Sequence, residues 1–524
     1  MKRISELLLV VLFAAVACDA LGDSDPEDRS LGNDLSHDMI VLGKQLEDPY
    51  SVKNMTKALE SLYPTKAGQS LHATDMYVRF LPETDQQMSA LLATGLVLVD
   101  HPLDFQIIRD GDYYHDPLID DGLITWQYAV VPADFKLPSE VRCEILDECY
   151  IPSSVVSTKA DGLDWAEIER EAYRLTGNEE MILSAGATKA SASTSPKGRI
   201  TIVDPDANGG KAFGVAGVTV LCNSFVKFAS ATTDRDGYYE MRTKFASDVR
   251  YRLMFQNSKG FAIGFNLLLV PASTSALGKT TPEGIDCEIT SASDRKLFSR
   301  AVVNNAVYDY YERCNEEDLG ILPPPGNLRL WLFQNLSSSS TPMLRQGTVL
   351  DQGLFKKYLG EYAKLISVFL PDITVGLKGA DSYSDIYSMT SHELAHSSHY
   401  MKVGNAYWNK YINYIITSFV KNFGADYGTG NGEGAGHCEV GEDWGYFMQN
   451  LLYHDRYGGT MPSYGMSFWF HPQIFRYLNE RGLSVSMLFK ALQSDVTDID
   501  RLKDRLISLY PENRSLINQI FGRY

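Results

Sequence analysis

The spacing of hydrophobic and polar positions differs between three parts of the chain. Across residues 37–182, alternating stretches such as MYVRFLP, LVLVD and ITWQYAVVP predict strands, and ETDQQMSALLATG predicts a helix that ends at Gly95. A further helix is expected from about Asp164 to Leu175. These patterns predict a small N-terminal α/β domain.

The pattern changes after residue 182. Residues 183–197 are rich in Ser, Ala and Thr, which is typical of a linker because such a stretch cannot bury a core. Residues 198–272 contain short alternating runs, among them GRITIVD, GVTVLCNS and YRLMFQN, which predict a small β-sandwich. Residues 285–524 are rich in helical patterns, with two strand candidates in NLRLWLFQN and PDITVGL. The expected fold class is therefore multidomain α+β, with a helix-rich C-terminal domain that contains a small sheet.

The net charge of the chain limits the classes of binding partner that can be expected. The 524 residues include 66 Asp and Glu against 48 Lys and Arg, which gives a net charge of -18. Such a surface repels phosphate backbones, so nucleic acid is not expected as a partner. An Asp-rich stretch in the N-terminal domain, RDGDYYHDPLIDDG, lacks the spacing of a calcium-binding loop and is expected to be an unliganded surface loop.

The first residues predict export. Residues 1–17 begin with Lys2 and Arg3 and continue with an apolar run from Leu7 to Ala17, too short for a permanent membrane span. Small residues precede Cys18, so the segment resembles the lipobox of bacterial lipoproteins. The resemblance implies cleavage before a lipidated Cys18, and residues 18–36 then form an acidic tether like that of Bacteroidetes surface lipoproteins. The implied location is the bacterial cell envelope, at the outer membrane or cell surface. Ordinary secretion is the alternative.

The remaining cysteines do not indicate a cysteine-based metal site. They are scattered and include no CxxC pair, so a zinc ribbon is not expected. Export would permit disulfides between them, but the spacing does not specify a pairing. The six residues are Cys143, Cys149, Cys222, Cys287, Cys314 and Cys438.

The predicted sandwich resembles a known module. The run from Gly217 to Val220, followed by TDRDGYY from Thr233 to Tyr239, is similar to the carboxypeptidase regulatory-like domain, a transthyretin-like sandwich. In that family the Asp-Gly pair turns a hairpin and the following aromatic residues enter the core. The resemblance implies a structural or adhesive role without catalytic residues.

The strongest chemical signal lies in YSMTSHELAHSSHYMKVG. On a helix, His392 and His396 are four residues apart and share a face, so both imidazoles can reach one ion, while Glu393 can reach a water beside it. His399 continues the same face. Three imidazoles on one straight helix rarely converge on one ion, so a packing role is expected for His399.

The HExxH pattern resembles the zincin metallopeptidases. The metzincin pattern is excluded because it requires Gly at position 399 and His at position 402. The gluzincin pattern requires a glutamate from a later helix, and GHCEVGEDWGYFMQNLLYH provides one. Glu442 begins an E-x-W-x-x-F sequence like that of bacterial gluzincin-like families and is the expected third ligand. Glu439 is the alternative, because Glu439 and Asp443 have the ExxxD spacing of the thermolysin group.

The resemblance implies a zinc metallopeptidase that acts on peptides or proteins. His392, His396 and Glu442 would hold Zn²⁺, and Glu393 would be the general base. The candidate donors to an oxyanion are Tyr457, Tyr464 and His471. Two alternatives stay open. One is a surface lipoprotein that keeps the zincin fold without catalysis and binds a glycan or protein, and the other makes the N-terminal domain an inhibitory prodomain.

Overall fold

The chain has a mixed α/β architecture whose C-terminal part is rich in helices. A computed structural model describes residues 39–66, 71–120, 123–152, 162–182, 194–264, 274–334, 339–349, 371–421, 427–459 and 468–524. Within these ranges it contains eleven α-helices and several small sheets. The predicted signal segment, the tether with Cys18 and most of the predicted linker lie outside the described residues.

Sixteen strands form the sheets. They are β1 Val41–Gln45, β2 Asp75–Leu81, β3 Phe105–Arg109, β4 Gln127–Pro132, β5 Arg142–Cys149, β6 Lys197–Ile202, β7 Phe213–Gly214, β8 Thr219–Ser224, β9 Lys227–Thr232, β10 Tyr238–Glu240, β11 Val249–Met254, β12 Ala262–Gly264, β13 Thr274–Thr280, β14 Cys287–Ile289, β15 Arg329–Phe333 and β16 Ile373–Gly376.

The helices complete the framework. They are α1 Val52–Leu62, α2 Asp85–Ala93, α3 Trp165–Leu175, α4 Arg295–Arg313, α5 Tyr383–Val403, α6 Asn405–Lys421, α7 Ala435–Tyr457, α8 Gln473–Glu480, α9 Val485–Ala491, α10 Ile499–Leu509 and α11 Arg514–Phe521. No helix of the described ranges combines the length and the hydrophobicity needed to cross a bilayer.

The N-terminal region contains an antiparallel sheet of order β4-β2-β5 and a separate pair of β1 with β3. Most side chains of β2 and β4 are buried, and α1 packs against α3. The strand predicted for LVLVD is wrong. Only Val99 forms an isolated bridge, with Tyr128. Helix α2 begins after Thr84, whose side chain accepts a hydrogen bond from the backbone N–H of Gln87.

The middle region consists of two sheets that share one hydrophobic core. One has the order β10-β6-β14 with β7 beside β6, and the other has the order β13-β11-β8-β9. Strands β13 and β14 follow residue 272, the predicted end of the sandwich, whereas β12 pairs with β15 of the C-terminal part. Strand pairing therefore does not follow the predicted boundary at residue 272. Two strands after it pair with the middle sheets, and one strand before it pairs with the C-terminal sheet.

The turn at Gly237 differs from the expectation drawn from the regulatory-like domain. Gly237 has a positive φ of 84° and its N–H donates to the carbonyl of Asp234. The strands on either side of this turn belong to different sheets, so the turn does not close a hairpin. Only Tyr239 enters the core. Tyr238 is 53% exposed because successive side chains of a strand point to opposite faces.

The Asp-rich loop of the N-terminal region contacts the middle and C-terminal regions of the chain. Asp110 forms ion pairs with Arg250 and with Arg252 of β11. Asp112 pairs with the buried Arg300 of α4 at 3.0 Å. The carboxylates in the first half of this loop therefore attach it to the middle and C-terminal regions, a contact that the sequence pattern did not indicate.

In the C-terminal region, β12, β15 and β16 form a parallel sheet. Helix α5 packs against β16, and α4 and α7 pack against α5. Buried side chains of these helices continue the core of the two middle sheets without interruption. Trp331 of β15 instead packs into a core of the N-terminal region. The six described cysteines form no disulfide with one another.

Candidate metal centre

Two packed helices, α5 and α7, carry the residues of the HExxH pattern and the later glutamates. Helix α5 begins with a capping box in which Ser382 and Asp385 satisfy each other's backbone N–H groups, and it ends at Gly404, whose φ is 76°. Most of α5 is buried. Helix α7 packs against it more closely than against any other described helix, which brings the middle turns of both helices together.

The structure brings three ligand-type side chains to one point. His392 Nε2 lies 2.9 Å from His396 Nε2. Glu442 Oε2 lies 3.4 Å from His392 Nε2 and 3.6 Å from His396 Nε2. Among the described residues, this is the one group of three or more His, Cys, Asp or Glu side chains arranged closely enough to hold a metal ion. We call it the metal triad.

The metal triad contains a buried acceptor without a hydrogen-bond partner. Glu442 is 2% exposed, and its Oε2 atom accepts no hydrogen bond. Burial alone would raise the pKa of Glu442, but positive charge at the nearby His396 and His392 outweighs burial and lowers the pKa, so a cationic neighbour keeps this group a carboxylate. A buried anionic oxygen that faces two imidazole nitrogens is costly unless a cation binds there.

Two of the three separations between donor atoms in the triad match those of a tetrahedral zinc site. Two bonds of about 2.0 to 2.1 Å at a tetrahedral angle separate their donor atoms by about 3.4 Å. The two distances from Glu442 Oε2, 3.4 and 3.6 Å, agree with that value. The distance between the imidazole nitrogens, 2.9 Å, is shorter, so the two rings would separate slightly around an ion. Two histidines and a carboxylate are a common ligand set of catalytic zinc.

Hydrogen bonds orient the first histidine. His392 Nδ1 lies 3.2 Å from Gln449 Oε1, and Gln449 Nε2 donates to Ser388 Oγ at 2.9 Å. Since the amide nitrogen is used by Ser388, the amide oxygen accepts the proton of Nδ1. This tautomer leaves the Nε2 lone pair of His392 directed toward the triad, as a metal ligand requires.

A glycine permits the close approach of the two helices. A Cβ atom on Gly445 would lie 2.7 Å from His396 Cε1 and 2.9 Å from His392 Cε1. Any larger residue would therefore displace both imidazoles. One residue earlier, Trp444 fixes the same contact, because its Nε1 donates to the carbonyl oxygen of Ala395 at 3.2 Å.

Glu393 is held beside the triad by a residue from another element. Thr341 Oγ1 lies 2.6 Å from Glu393 Oε2 and 2.9 Å from the Glu393 carbonyl oxygen. Thr341 follows Ser340, which pairs with Thr374 of β16, so the sheet sets its position. Burial raises the pKa of Glu393 above its usual value, which makes the carboxylate a better proton acceptor.

Glu439 points away from the triad. Its neighbours are Asp498 and the backbone of Ile499 at the start of α10, and burial together with Asp498 raises its pKa to about 7. Asp443 is fully buried near Glu439, and burial raises its pKa as well. The side chain that reaches both imidazoles is therefore that of Glu442, as the sequence favoured.

The other histidine of α5 lies outside the triad. His399 is fully buried between the rings of Tyr407 and Trp408, whose centroids are 5.3 and 5.7 Å from its own. Burial lowers the pKa of His399 to about 3, so the ring is neutral. This surrounding agrees with the packing role expected for His399.

The predicted oxyanion donors are engaged elsewhere or lie outside the described residues. Tyr457 Oη donates to Asp204 Oδ2 at 2.9 Å, and the His471 ring stacks on Tyr524 with centroids 4.8 Å apart. Tyr464 lies outside the described residues. Two other tyrosines lie next to the triad. The ring centroid of Tyr446 is 4.6 Å from that of His392, and Tyr411 Oη donates to Glu442 Oε1 at 2.5 Å.

Three supporting residues, Thr341, Tyr411 and Gln449, were not found by sequence reasoning. Gln449 is seven residues after Glu442 on the same helix face, a spacing that could have indicated it. Thr341 and Tyr411 come from other elements and have no such signal. The chain matches no protein-family model, and no curated protein sequence matches it. The geometry of the metal triad is thus the main evidence on function.

Proposed function

We propose that this chain is a zinc-dependent metallopeptidase. The observation that carries the proposal is the metal triad, in which two imidazole nitrogens face a buried carboxylate oxygen without a hydrogen-bond partner. Glu393, one residue from His392 on α5, adds a carboxylate that the triad does not use. Three protein ligands with an adjacent carboxylate are the parts that zinc peptide hydrolysis needs.

When bound, zinc would supply a Lewis acid that polarises a peptide carbonyl and lowers the pKa of a water molecule. Glu393 accepts a proton from the attacking water, whose oxygen forms a bond to the carbonyl carbon. As the C–N bond breaks, Glu393 returns that proton to the leaving amine, so no proton is gained or lost. Thr341 keeps the carboxylate in place through both transfers.

A second candidate function is a surface protein that keeps this fold and binds a glycan or a protein without catalysis. The observation that favours it is the low exposure of the site. His392 is 8% exposed and Glu393 4%, which leaves little room for a peptide without movement. Such a protein would bind zinc without hydrolysing peptides, so metal content and turnover together separate the two functions.

The test is a peptide-library digest by a soluble form that begins at His37, after the tether. Removal of zinc by a chelator should abolish hydrolysis, and one equivalent of zinc should restore it. Glu393→Gln should keep zinc but lower kcat by about 10² to 10⁴, because an amide cannot accept the proton. The matched control is Glu439→Gln, which changes a glutamate that faces away from the triad. Undiminished hydrolysis by Glu393→Gln would overturn the mechanism.

We also propose that the protein acts at the bacterial envelope, held by lipid on Cys18, with a regulatory-like sandwich in its middle region. The basic and apolar N-terminal segment followed by Cys18 supports the anchor, and the two facing sheets that share a core support the sandwich. Cys18→Ala should move the protein from the membrane fraction to the soluble fraction. An unchanged distribution would exclude lipidation.

A further inference from the structure

The two carboxylate oxygens of Glu442 have different surroundings. Oε2 faces His392 and His396 and accepts no hydrogen bond. Oε1 accepts a hydrogen bond from Tyr411 Oη at 2.5 Å. Hydrogen bonds from a neutral donor to a carboxylate are among the short and strong ones in proteins. One oxygen is therefore already in use, while the other faces the position where a metal would bind.

The Tyr411 ring is fixed in place. It lies on α6, a third helix, and is 3% exposed. Its ring centroid is 4.5 Å from that of Trp408 and 5.6 Å from that of His396. On the opposite helix, a Cβ atom on Gly441 would come within 3.2 Å of Tyr411 Cε2. Because the ring is packed on several sides, the phenol is oriented before any ligand arrives.

We propose that Tyr411 is a positioning residue that restricts Glu442 to coordination of zinc through Oε2 alone. A carboxylate can bind a metal through one oxygen or two, and a second bond from Oε1 would occupy a further coordination position. Catalytic zinc needs three protein ligands and one position for water or substrate. The inference rests on the proposed function, and it assigns to α6 the task of keeping that position open.

The variant that tests this role is Tyr411→Phe, which removes one hydroxyl and keeps the ring. Loss of a group that supports a metal ligand typically lowers metal affinity by about 10- to 100-fold. The zinc Kd of this variant is therefore expected to rise by about the same factor. With Co²⁺ in place of zinc, the visible absorption should weaken, because a carboxylate bound through both oxygens raises the coordination number above four.

The matched control is Tyr407→Phe. Tyr407 is also on α6 and also buried, but its hydroxyl donates to the carbonyl oxygen of His437 and not to the triad. Its zinc affinity and cobalt spectrum should equal those of the unmodified protein. Circular dichroism of both variants checks that each is folded. If Tyr411→Phe does not fold, the unmodified cobalt protein decides: intense four-coordinate bands support the inference, and weak bands overturn it.

The outcomes separate this inference from the proposed function. Metal binding with no peptide hydrolysis would overturn the function and leave the role of Tyr411 intact. Hydrolysis that depends on Glu393, together with an unchanged cobalt spectrum in Tyr411→Phe, would overturn the role of Tyr411 alone. A protein that binds neither zinc nor cobalt would overturn the metal triad, on which both proposals depend.

Discussion

Two buried polar clusters in this protein are completed in different ways. Between the N-terminal and middle regions, Lys227 Nζ lies 2.6 Å from Glu169 Oε1, and Tyr50 Oη donates to Glu169 Oε2 at 3.3 Å. Both oxygens of that glutamate therefore have partners. Between α5 and α7, Glu442 is buried just as deeply, yet one of its oxygens has no hydrogen-bond partner.

The difference distinguishes a structural cluster from a ligand site. A buried carboxylate needs a counter-charge and hydrogen bonds to offset its loss of hydration. The lysine supplies both for Glu169, so that cluster needs nothing more. In the metal triad, an imidazole that acts as a metal ligand is neutral and has no proton on the ligating nitrogen, so it then supplies Glu442 with neither a positive charge nor a hydrogen bond. A divalent cation would supply the charge that is lacking there.

The largest effect is expected from a substitution that removes a ligand of the metal triad. Glu442→Ala should lose zinc during purification, a fall in affinity beyond the 10- to 100-fold that is typical for groups that only support a ligand. Glu439→Ala should retain zinc, because Glu439 lies toward α10. Zinc per chain after dialysis, measured by mass spectrometry, compares the two variants. Retention by the first and loss by the second would transfer the ligand role to Glu439.

The second largest effect is expected from a substitution in the buried cluster of Lys227, Glu169 and Tyr50. Lys227→Met leaves Glu169 buried without its counter-charge, and removal of one partner of a buried pair costs about 3 to 5 kcal/mol in the free energy of unfolding. Denaturant titration measures this loss. Lys227→Met combined with Glu169→Leu should recover most of it, and zinc affinity should be the same in all three proteins. A change in zinc affinity would show that the two clusters are not independent.

The smallest effect concerns a third buried carboxylate, one that joins the middle region to α7. Asp204 Oδ2 accepts hydrogen bonds from Arg456 Nη2 and Tyr457 Oη, both at 2.9 Å. Asp204→Asn should lower the free energy of unfolding by about 1.5 to 3 kcal/mol, the usual contribution of hydrogen bonds to charged groups. The control Glu480→Gln removes a partly exposed ion pair with Arg476 and should change stability by less than about 0.5 kcal/mol. Equal effects of the two variants would contradict the importance assigned to burial.

The site residues that are placed by helical spacing could be predicted from the sequence. His392 and His396 were found because four residues make about one helical turn, and Glu442 was preferred to Glu439 because of the neighbouring Gly441 and the later aromatic residues. Tyr411 reaches Glu442 from a third helix. Its contact depends on how the helices pack, and no local spacing encodes that packing.

The fold could be predicted where a strand carries a run of apolar residues that the core buries. The runs that became β2, β4, β8 and β11 are of this kind, and all were identified. β5 was missed because it carries several charged residues and most of its side chains are at least partly exposed. The end of the middle region was also misjudged, since β12, β13 and β14 find their partners far away in the sequence. The hydrophobic periodicity of a strand does not indicate which distant strand it pairs with.

The central claim is that the metal triad binds zinc, and anomalous diffraction tests it most directly. Crystals of the mature protein grown with zinc, measured on both sides of the zinc absorption edge, should show one strong anomalous peak per chain. The peak should lie about 2.0 to 2.2 Å from His392 Nε2, His396 Nε2 and Glu442 Oε2. A peak at other residues only, or no peak at all between α5 and α7, would contradict the account.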